Sequence, residues 1–344
     1  MRAVRIHSCG GPEVVRLEEI ERPSPGPGQV LVEVRAAALN HLDLWVRQGT
    51  PAPPLPHTLG SDAAGVVAAL GEGVQGLEVG QQVVLNPGLW CGRCEACAAG
   101  EHSLCPDYHL LGEAAPGTFA EYVVVPAPAC HPRPRGFSWE EAAAFGLVFL
   151  TAYRMLFTRA GLRPGEDVLI HGIGGGVATA ALVLARAAGA RAIVTSSSED
   201  KLARARELGA WEGICYRQVD NLAARVLELT EGRGVDVVVD SVGKAVWQDS
   251  LAALRKGGRL VTCGATSGGD PPASIHRIFW KQIAVLGSTM GSQNDMRRVL
   301  ALAERGLVRP VLDRVYPLEE APAALARLEA GQQMGKIVLK VRED

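Results

Sequence analysis

The stretch Asp167–Ala190, DVLIHGIGGGVATAALVLARAAGA, decides the fold. Asp167 to His171 reads as a short buried strand, the glycines that follow form a turn, and Val177 to Ala188 carries the apolar spacing of a helix. A strand, a glycine-rich turn and a helix in that order open a βαβ unit, with the helix N-terminus turned towards an anion. Working outward, Ala190 to Thr195 is a second strand and Glu199 to Leu208 a second helix. Further strands are expected at Ile214–Tyr216, Val235–Asp240, Arg259–Gly264 and Ile283–Gly287, with helical patterns between them. This alternation predicts an α/β, doubly wound parallel sheet covered on both faces, with a nucleotide at its carboxyl edge.

Upstream, residues 1 to about 125 have a different texture. Val30–Ala36 alternates, Gly65–Leu70 and Gln82–Asn86 are bounded by glycine or turn residues, and Ala120–Val125 stops at Pro126, which predicts a compact β-rich unit. The tail turns helical at Asn294–Glu304 and Leu318–Ala330. It closes with Lys336–Val341, KIVLKV, an alternating strand expected to complete the first unit's sheet. The first domain is therefore expected to be discontinuous. The 344 residues carry 37 acids against 35 bases, a formal charge of −2, so no basic field favours nucleic acid or anionic lipid. Charges interrupt the first twenty residues, and the apolar runs Ala142–Tyr153 and Val177–Ala185 are too short to span a bilayer. A cytoplasmic protein without membrane or nucleic-acid partners is expected.

Cys91, Cys94, Cys97 and Cys105 have the spacing C-x2-C-x2-C-x7-C. Four thiolates converging from tight turns fill the tetrahedral shell of Zn²⁺ and leave no position for water, so one structural zinc per chain is expected. Cys9, Cys130, Cys215 and Cys263 stand alone and are assigned to packing.

The cysteine lobe, followed by GTFAEYVVVP (117–126), VLIHGIGGGVATAALVLARAAGA (168–190) and VDVVVDSVG (235–243), resembles the medium-chain dehydrogenase/reductase superfamily from about residue 25 to the C-terminus. The resemblance implies a GroES-like catalytic domain (1–128 and 291–344, with a zinc lobe at 88–108) and an inserted Rossmann domain (129–290). It also implies hydride transfer with a nicotinamide cofactor. Zinc alcohol dehydrogenases of that superfamily bind a second, catalytic metal through a Cys in C-x-[ST]-D, a His in G-H-E and a later Cys. The matching segments here are Asn40-His41-Leu42-Asp43, Gly60-Ser61-Asp62 and Leu147 to Thr151. Asn40, Ser61 and Leu147 stand where the ligands would be, and none of the three is a good zinc donor. Leu42 replaces the hydroxyl residue that relays the alcohol proton.

The pattern resembles instead the zinc-free quinone oxidoreductase branch, with Asn40, His41, Asp43 and Asp62 as the candidate catalytic residues and Asn40 able to polarise a substrate oxygen. Trp45 stands where zinc-free relatives carry a Tyr, so no phenol donor carries over. His57 with Asp43 and Asp62 is the alternative set for an atypical metal site.

The cofactor loop departs from strict G-x-G-x-x-G: Gly172, Gly174, Gly175, Gly176 and Val177 are its candidate residues, with Ile173 and Ala178 as the departures. Where an Asp or Glu would hold a ribose hydroxyl, the chain has Ser196 and Ser197, with Lys201, Tyr216 and Arg217 nearby. This favours NADP(H) over NAD(H), although Ser198 could simply cap the helix beginning at Glu199. Thr151, Ser241 and Gly264 complete the cofactor set, with Gly287, Ser288 and Thr289 as further neighbours. Ile283–Met290 resembles the edge strand that joins protomers, implying a homodimer or homotetramer. The leading expectation is an NADPH-dependent reductase of quinones or α,β-unsaturated carbonyls that needs no catalytic metal. The alternatives are a zinc-type alcohol dehydrogenase with a divergent metal site and an NADPH-binding module with little catalysis.

Overall fold

The computed structural model describes residues 1–342. In chain order the elements begin with β1 (Arg2–Ile6), β2 (Arg16–Glu19), β3 (Gln29–Ala38), α1 (His41–Gln48), β4 (His57–Thr58), β5 (Asp62–Leu70), β6 (Gln82–Leu85) and β7 (Gly88–Leu89). They continue with α2 (Glu95–Ala98), β8 (His109–Leu110), β9 (Tyr122–Pro126), β10 (Cys130–Pro132), α3 (Trp139–Ala143) and α4 (Gly146–Tyr153). Next come β11 (Asp167–Ile170), α5 (Gly176–Ala187), β12 (Arg191–Ser196), α6 (Glu199–Glu207), β13 (Glu212–Cys215), α7 (Leu222–Leu229), β14 (Val235–Asp240) and α8 (Trp247–Ala253). The last are β15 (Leu254–Thr262), α9 (Ile275–Lys281), β16 (Ala284–Gly287), α10 (Gln293–Glu304), β17 (Leu312–Pro317), α11 (Ala321–Glu329) and β18 (Lys336–Lys340). These form two compact units. One is Met1–Val148 with Ser292–Glu304 and the chain from Arg309 onward; the other is Phe149–Gly291 with Arg305–Val308.

The first unit is built on β3. Its ten residues, QVLVEVRAAA, pair antiparallel with β5, β9 and β18 within a seven-stranded sheet. Val30, Val32 and Val34 face a core shared with Val67, Val83, Leu85, Leu318 and Leu325. The KIVLKV tail takes the expected place: β18 lies antiparallel to β3, Val338 opposite Ala38, and parallel to β17. The boundary expected at 128/129 moves to 148/149. The reason is that β10 pairs with β6, Cys130 opposite Leu85, and α3 packs on β3 and β5, so residues 129–148 are held by the β-rich unit. A second departure is α1, in a region expected to be β-rich. Asn40 precedes it with its backbone N–H on the Asp43 carboxylate at 2.7 Å, and Gly49, at φ +88°, ends it.

The second unit is a six-stranded parallel sheet in the order β13-β12-β11-β14-β15-β16. β11 and β14 are buried throughout because helices cover both faces, which is why they read as unbroken apolar runs. The chain reverses its direction of winding between β11 and β14, and this switch point is where such sheets place a nucleotide. At the opposite strand ends Asp167 accepts from Arg191 and Arg233, while Asp236 accepts from Arg233 and Arg255. Helix α9 starts at Ile275, where the Ser274 hydroxyl caps it by accepting the Arg277 N–H. Among the described residues no helix is long and apolar enough to cross a membrane.

Candidate active site

In the first unit, Asn40 ends the approach from β3, Asp62 opens β5 and Lys336 opens β18, and the pairing of these strands brings the three side chains together. The Lys336 ammonium donates to Asn40 Oδ1 at 2.6 Å and to Asp62 Oδ2 at 3.0 Å; the Asn40 amide donates to the same Asp62 oxygen at 2.9 Å. The other Asp62 oxygen accepts the Leu147 backbone N–H at 2.7 Å, and the Asp62 carbonyl takes the Thr118 hydroxyl. A side chain on Gly146 would meet Asp62 Oδ1 at 2.7 Å, so the glycine permits this approach. All three side chains are buried, with Asp62 fully so. A closed ammonium–amide–carboxylate triangle satisfies the buried charges mutually.

Asp43 is buried behind the network with Oδ2 on the Asn40 N–H at 2.7 Å and the Gly60 backbone beside its carboxylate. Burial, reinforced by the Asp62 charge, pushes its carboxyl up to about 7 against the pull of the Asn40 N–H and the Lys336 charge. Ser61 is likewise buried with its hydroxyl unpartnered. His41 lies exposed on the edge of Trp45, ring centroids 4.9 Å apart, outside the hydrogen-bonded set. His57 is buried against the backbone of Gly112 and Pro54, so the set His57, Asp43 and Asp62 does not form. Among the described residues the single group of His, Cys, Asp or Glu side chains that could hold a metal ion is the cysteine cluster.

There the Sγ atoms of Cys91, Cys94, Cys97 and Cys105 lie within 4.8 Å of one another. Zn–S bonds of about 2.3 Å require tetrahedral S–S edges of roughly 3.8 Å, and Cys91 and Cys97 are at 4.0 Å. Backbone N–H groups of Cys91 and Arg93 point at Cys105 and Cys91 sulfurs, an arrangement that suits thiolates. The residues therefore fit a tetrahedral ion.

In the second unit the cofactor loop stands between β11 and α5. Gly172 (φ +68°) and Gly174 (φ +125°) take conformations that only glycine adopts easily. Gly175 caps the twelve-residue α5 without any side-chain bond to its first turn, leaving the N–H groups that start at Gly176 and Val177 for an anion. Behind the loop the Gly172 N–H donates to the Thr195 hydroxyl at 3.3 Å, which faces His171 Nδ1, while His171 Nε2 reaches Ser250 at 3.0 Å. Burial pushes His171 down to about 4 and keeps it neutral. At the tip of β12, Ser196 is buried and its hydroxyl accepts the Ser198 N–H, and Ser198 caps α6 by accepting from Lys201 N–H. Ser197 is half-buried, and Tyr216 and Arg217 are exposed. Gly264 lies against Ser241, whose carbonyl a side chain there would meet at 3.1 Å; Thr151 is buried on the Met290 sulfur.

Asn40 and Asp62, picked out from the sequence, are thus joined, Asp43 lies behind them, and His41 stands apart. Lys336 was missed because KIVLKV reads as a strand. The available signal was a lysine leading a run whose next three residues are buried.

Two family models match: the alcohol dehydrogenase GroES-like domain over residues 26–135 and the zinc-binding dehydrogenase over residues 176–305. The chain is 36% identical to the NAD-dependent alcohol dehydrogenase of Sulfolobus acidocaldarius, covering 99% of this chain and 100% of that one. It is also 36% identical to a quinone oxidoreductase of Pseudomonas aeruginosa over 98% and 99% of the two chains. A crystal structure of an NAD-dependent alcohol dehydrogenase superposes with a TM-score of 0.96 at 47% identity, covering 99% of this chain and 100% of the other. The chain belongs to the medium-chain dehydrogenase/reductase superfamily, in its zinc-type alcohol dehydrogenase and quinone oxidoreductase-like branch, and is a pyridine-nucleotide-dependent oxidoreductase.

Proposed function

We propose that the chain reduces quinones or α,β-unsaturated carbonyls with NADPH, without a catalytic metal, and carries one structural zinc ion on Cys91, Cys94, Cys97 and Cys105. The observation that carries the reading is Lys336. Where a metal would need anionic or imidazole donors, Asn40 Oδ1 and Asp62 Oδ2 already accept from an ammonium, and the remaining Asp62 oxygen is spent on Leu147 N–H. A divalent ion entering that set would meet a fixed positive charge at hydrogen-bond distance.

The bound nicotinamide would supply a hydride to a carbon that conjugation has already made electrophilic, chemistry that needs no Lewis acid. The chain's residues divide the remaining work. The first-turn N–H groups of α5 hold the pyrophosphate, with Gly172 and Gly174 allowing the backbone to approach. Ser196, Ser197, Lys201, Tyr216 and Arg217 receive the 2′-phosphate; the Ser196 hydroxyl accepts the Ser198 N–H and keeps its own proton to donate. Asp43, pushed up to about 7, is the buried group that changes protonation state around neutral pH. We further propose a cytoplasmic homodimer or homotetramer joined through the exposed edge strand β16, acting on a small carbonyl substrate without nucleic-acid or membrane partners.

The test is zinc content by elemental mass spectrometry on dialysed protein, together with NADPH oxidation by quinones and conjugated enals. One zinc per chain with quinone or enal turnover is expected. Two zincs with efficient oxidation of simple alcohols would establish instead the alcohol dehydrogenase reading that the names of two of the relatives favour.

A further inference from the structure

We propose that Lys336 is a positioning residue of the reaction, a built-in cation that locks the Asn40 amide in one orientation on Asp62 and so presets the polar floor of the site. The proposal rests on the reductase reading for its kinetic consequences, while its geometry stands independently of that reading. Asn40 can place either its oxygen or its amino group on Lys336. With the ammonium 2.6 Å from Oδ1, a flip would set an NH₂ against an NH₃⁺ and point the amide oxygen at the Asp62 carboxylate, so both contacts turn repulsive at once. The ammonium also withdraws electrons from the amide through Oδ1, strengthening its N–H groups as donors.

Burial shields these bonds from solvent: Lys336 is 3% exposed and Asn40 6%. The charges that bear on the network are Asp62 from β5 and Asp43 from α1. On neighbouring elements, Asp313 on β17 takes Arg327, Glu329 at the end of α11 takes Arg47, and Glu141 on α3 takes the Ser138 N–H and Arg309. Lys336 and Asn40 lie 296 residues apart in the chain, and only the β18–β3 pairing joins them.

The chain has four asparagines, Asn40, Asn86, Asn221 and Asn294, so selective ¹⁵N-asparagine labelling yields four pairs of side-chain amide cross-peaks. Asn40 is identified by its loss in Asn40→Ser. In the full-length protein its amide protons should exchange with solvent far more slowly than those of exposed Asn221 and Asn294. Lys336→Met should abolish that protection and leave buried Asn86 unchanged. The same variant should lower kcat for NADPH-dependent quinone or enal reduction by about 10- to 100-fold, with KM for NADPH unchanged. Its pH profile should move to higher pH, because the Lys336 charge holds Asp43 down. Lys336→Arg, which keeps the charge, should restore most of the rate.

Protection and kinetics unchanged in a folded Lys336→Met protein would overturn the proposal. So would Asn40 exchanging as fast as Asn221 in the unmutated protein, a result that needs no variant to fold. If the unmutated enzyme reduces no quinone or enal, the reductase reading fails, and the exchange experiment still decides the role of Lys336.

Discussion

The cysteine lobe and the Asn40–Asp62–Lys336 network lie in the same unit and meet the same electrostatic demand in opposite ways. In the lobe four sulfurs converge within 4.8 Å and form a complete set of soft donors, which suits a positive charge supplied by an ion. In the network the carboxylate has its cation built into the chain, 3.0 Å away on β18. A donor set without a counter-charge recruits an ion, whereas one that carries its own excludes it. On the proposed reading, the network thus carries a fixed, non-exchangeable charge, and the lobe would hold an exchangeable one.

The contrast breaks most visibly at the lobe. Cys97→Ser, at a residue only 8% exposed, should reduce bound zinc from the expected one per chain to none. It should also cost several kcal/mol, on the order of 10 °C in Tm, while nucleotide binding by the molecules that remain folded is unchanged. Elemental analysis with calorimetry checks it; full zinc occupancy in the variant would show that the ion is held elsewhere.

Next in size is Asp62→Asn, which leaves the Lys336 ammonium buried without its carboxylate. Removing one member of a buried pair costs about 3–5 kcal/mol, so denaturant unfolding should show a loss of that order without any change in zinc content. A loss no larger than that of a surface substitution would mean that the pair is solvated.

How far these features could be read in advance follows from their range along the chain. The parallel sheet was legible because β11 and β14 are buried on both faces, and each announces itself within a few residues. The lobe was legible because its four ligands fall within fifteen residues. Asn40, Asp43 and Asp62 could be picked out by resemblance. Their organisation could not, because it depends on Lys336, distant in sequence and placed by strand register alone. The residues 129–148 were misassigned for the same reason: the pairing of β10 with β6 is long-range and has no local signature. Helix α1 was hidden because HLDLWVRQ mixes charged and apolar residues over little more than two turns.

Asp43 sharpens the comparison, since it is the one charge of the network without a dedicated counter-charge. Its folded-state value of about 7 lies above the unfolded value of about 3.9. Between those values the folded protein binds a proton that the unfolded chain does not, so this group makes stability fall as pH rises from about 4 to about 7, with no further change above. Asp43→Asn mimics the protonated form and should remove that fall. The unfolding free energy of the variant minus that of the unmutated protein should therefore grow across this window. His131 and His171, each pushed down to about 4 by burial, act in the opposite direction but are present in both proteins and cancel in the difference. The same difference at pH 5 and pH 8 would show that Asp43 is ionised throughout.

The smallest effect is expected where charges are exposed. Arg217 at the ribose end of the sheet is open to solvent, unlike Lys336, and water and salt screen any contact it makes to a 2′-phosphate. Arg217→Ala should therefore lower the preference for NADPH over NADH by about tenfold, equivalent to 1.4 kcal/mol, and the loss should shrink as ionic strength rises. The buried network should show no such salt dependence, because no mobile ion reaches it. Steady-state kinetics with both nucleotides at low and high salt separate the two kinds of charge. A preference for NADH in the unmutated enzyme would remove the 2′-phosphate from the ribose site and leave Ser197, Lys201 and Tyr216 holding hydroxyls, while the Lys336 network, which lies in the other unit, would be untouched by that result.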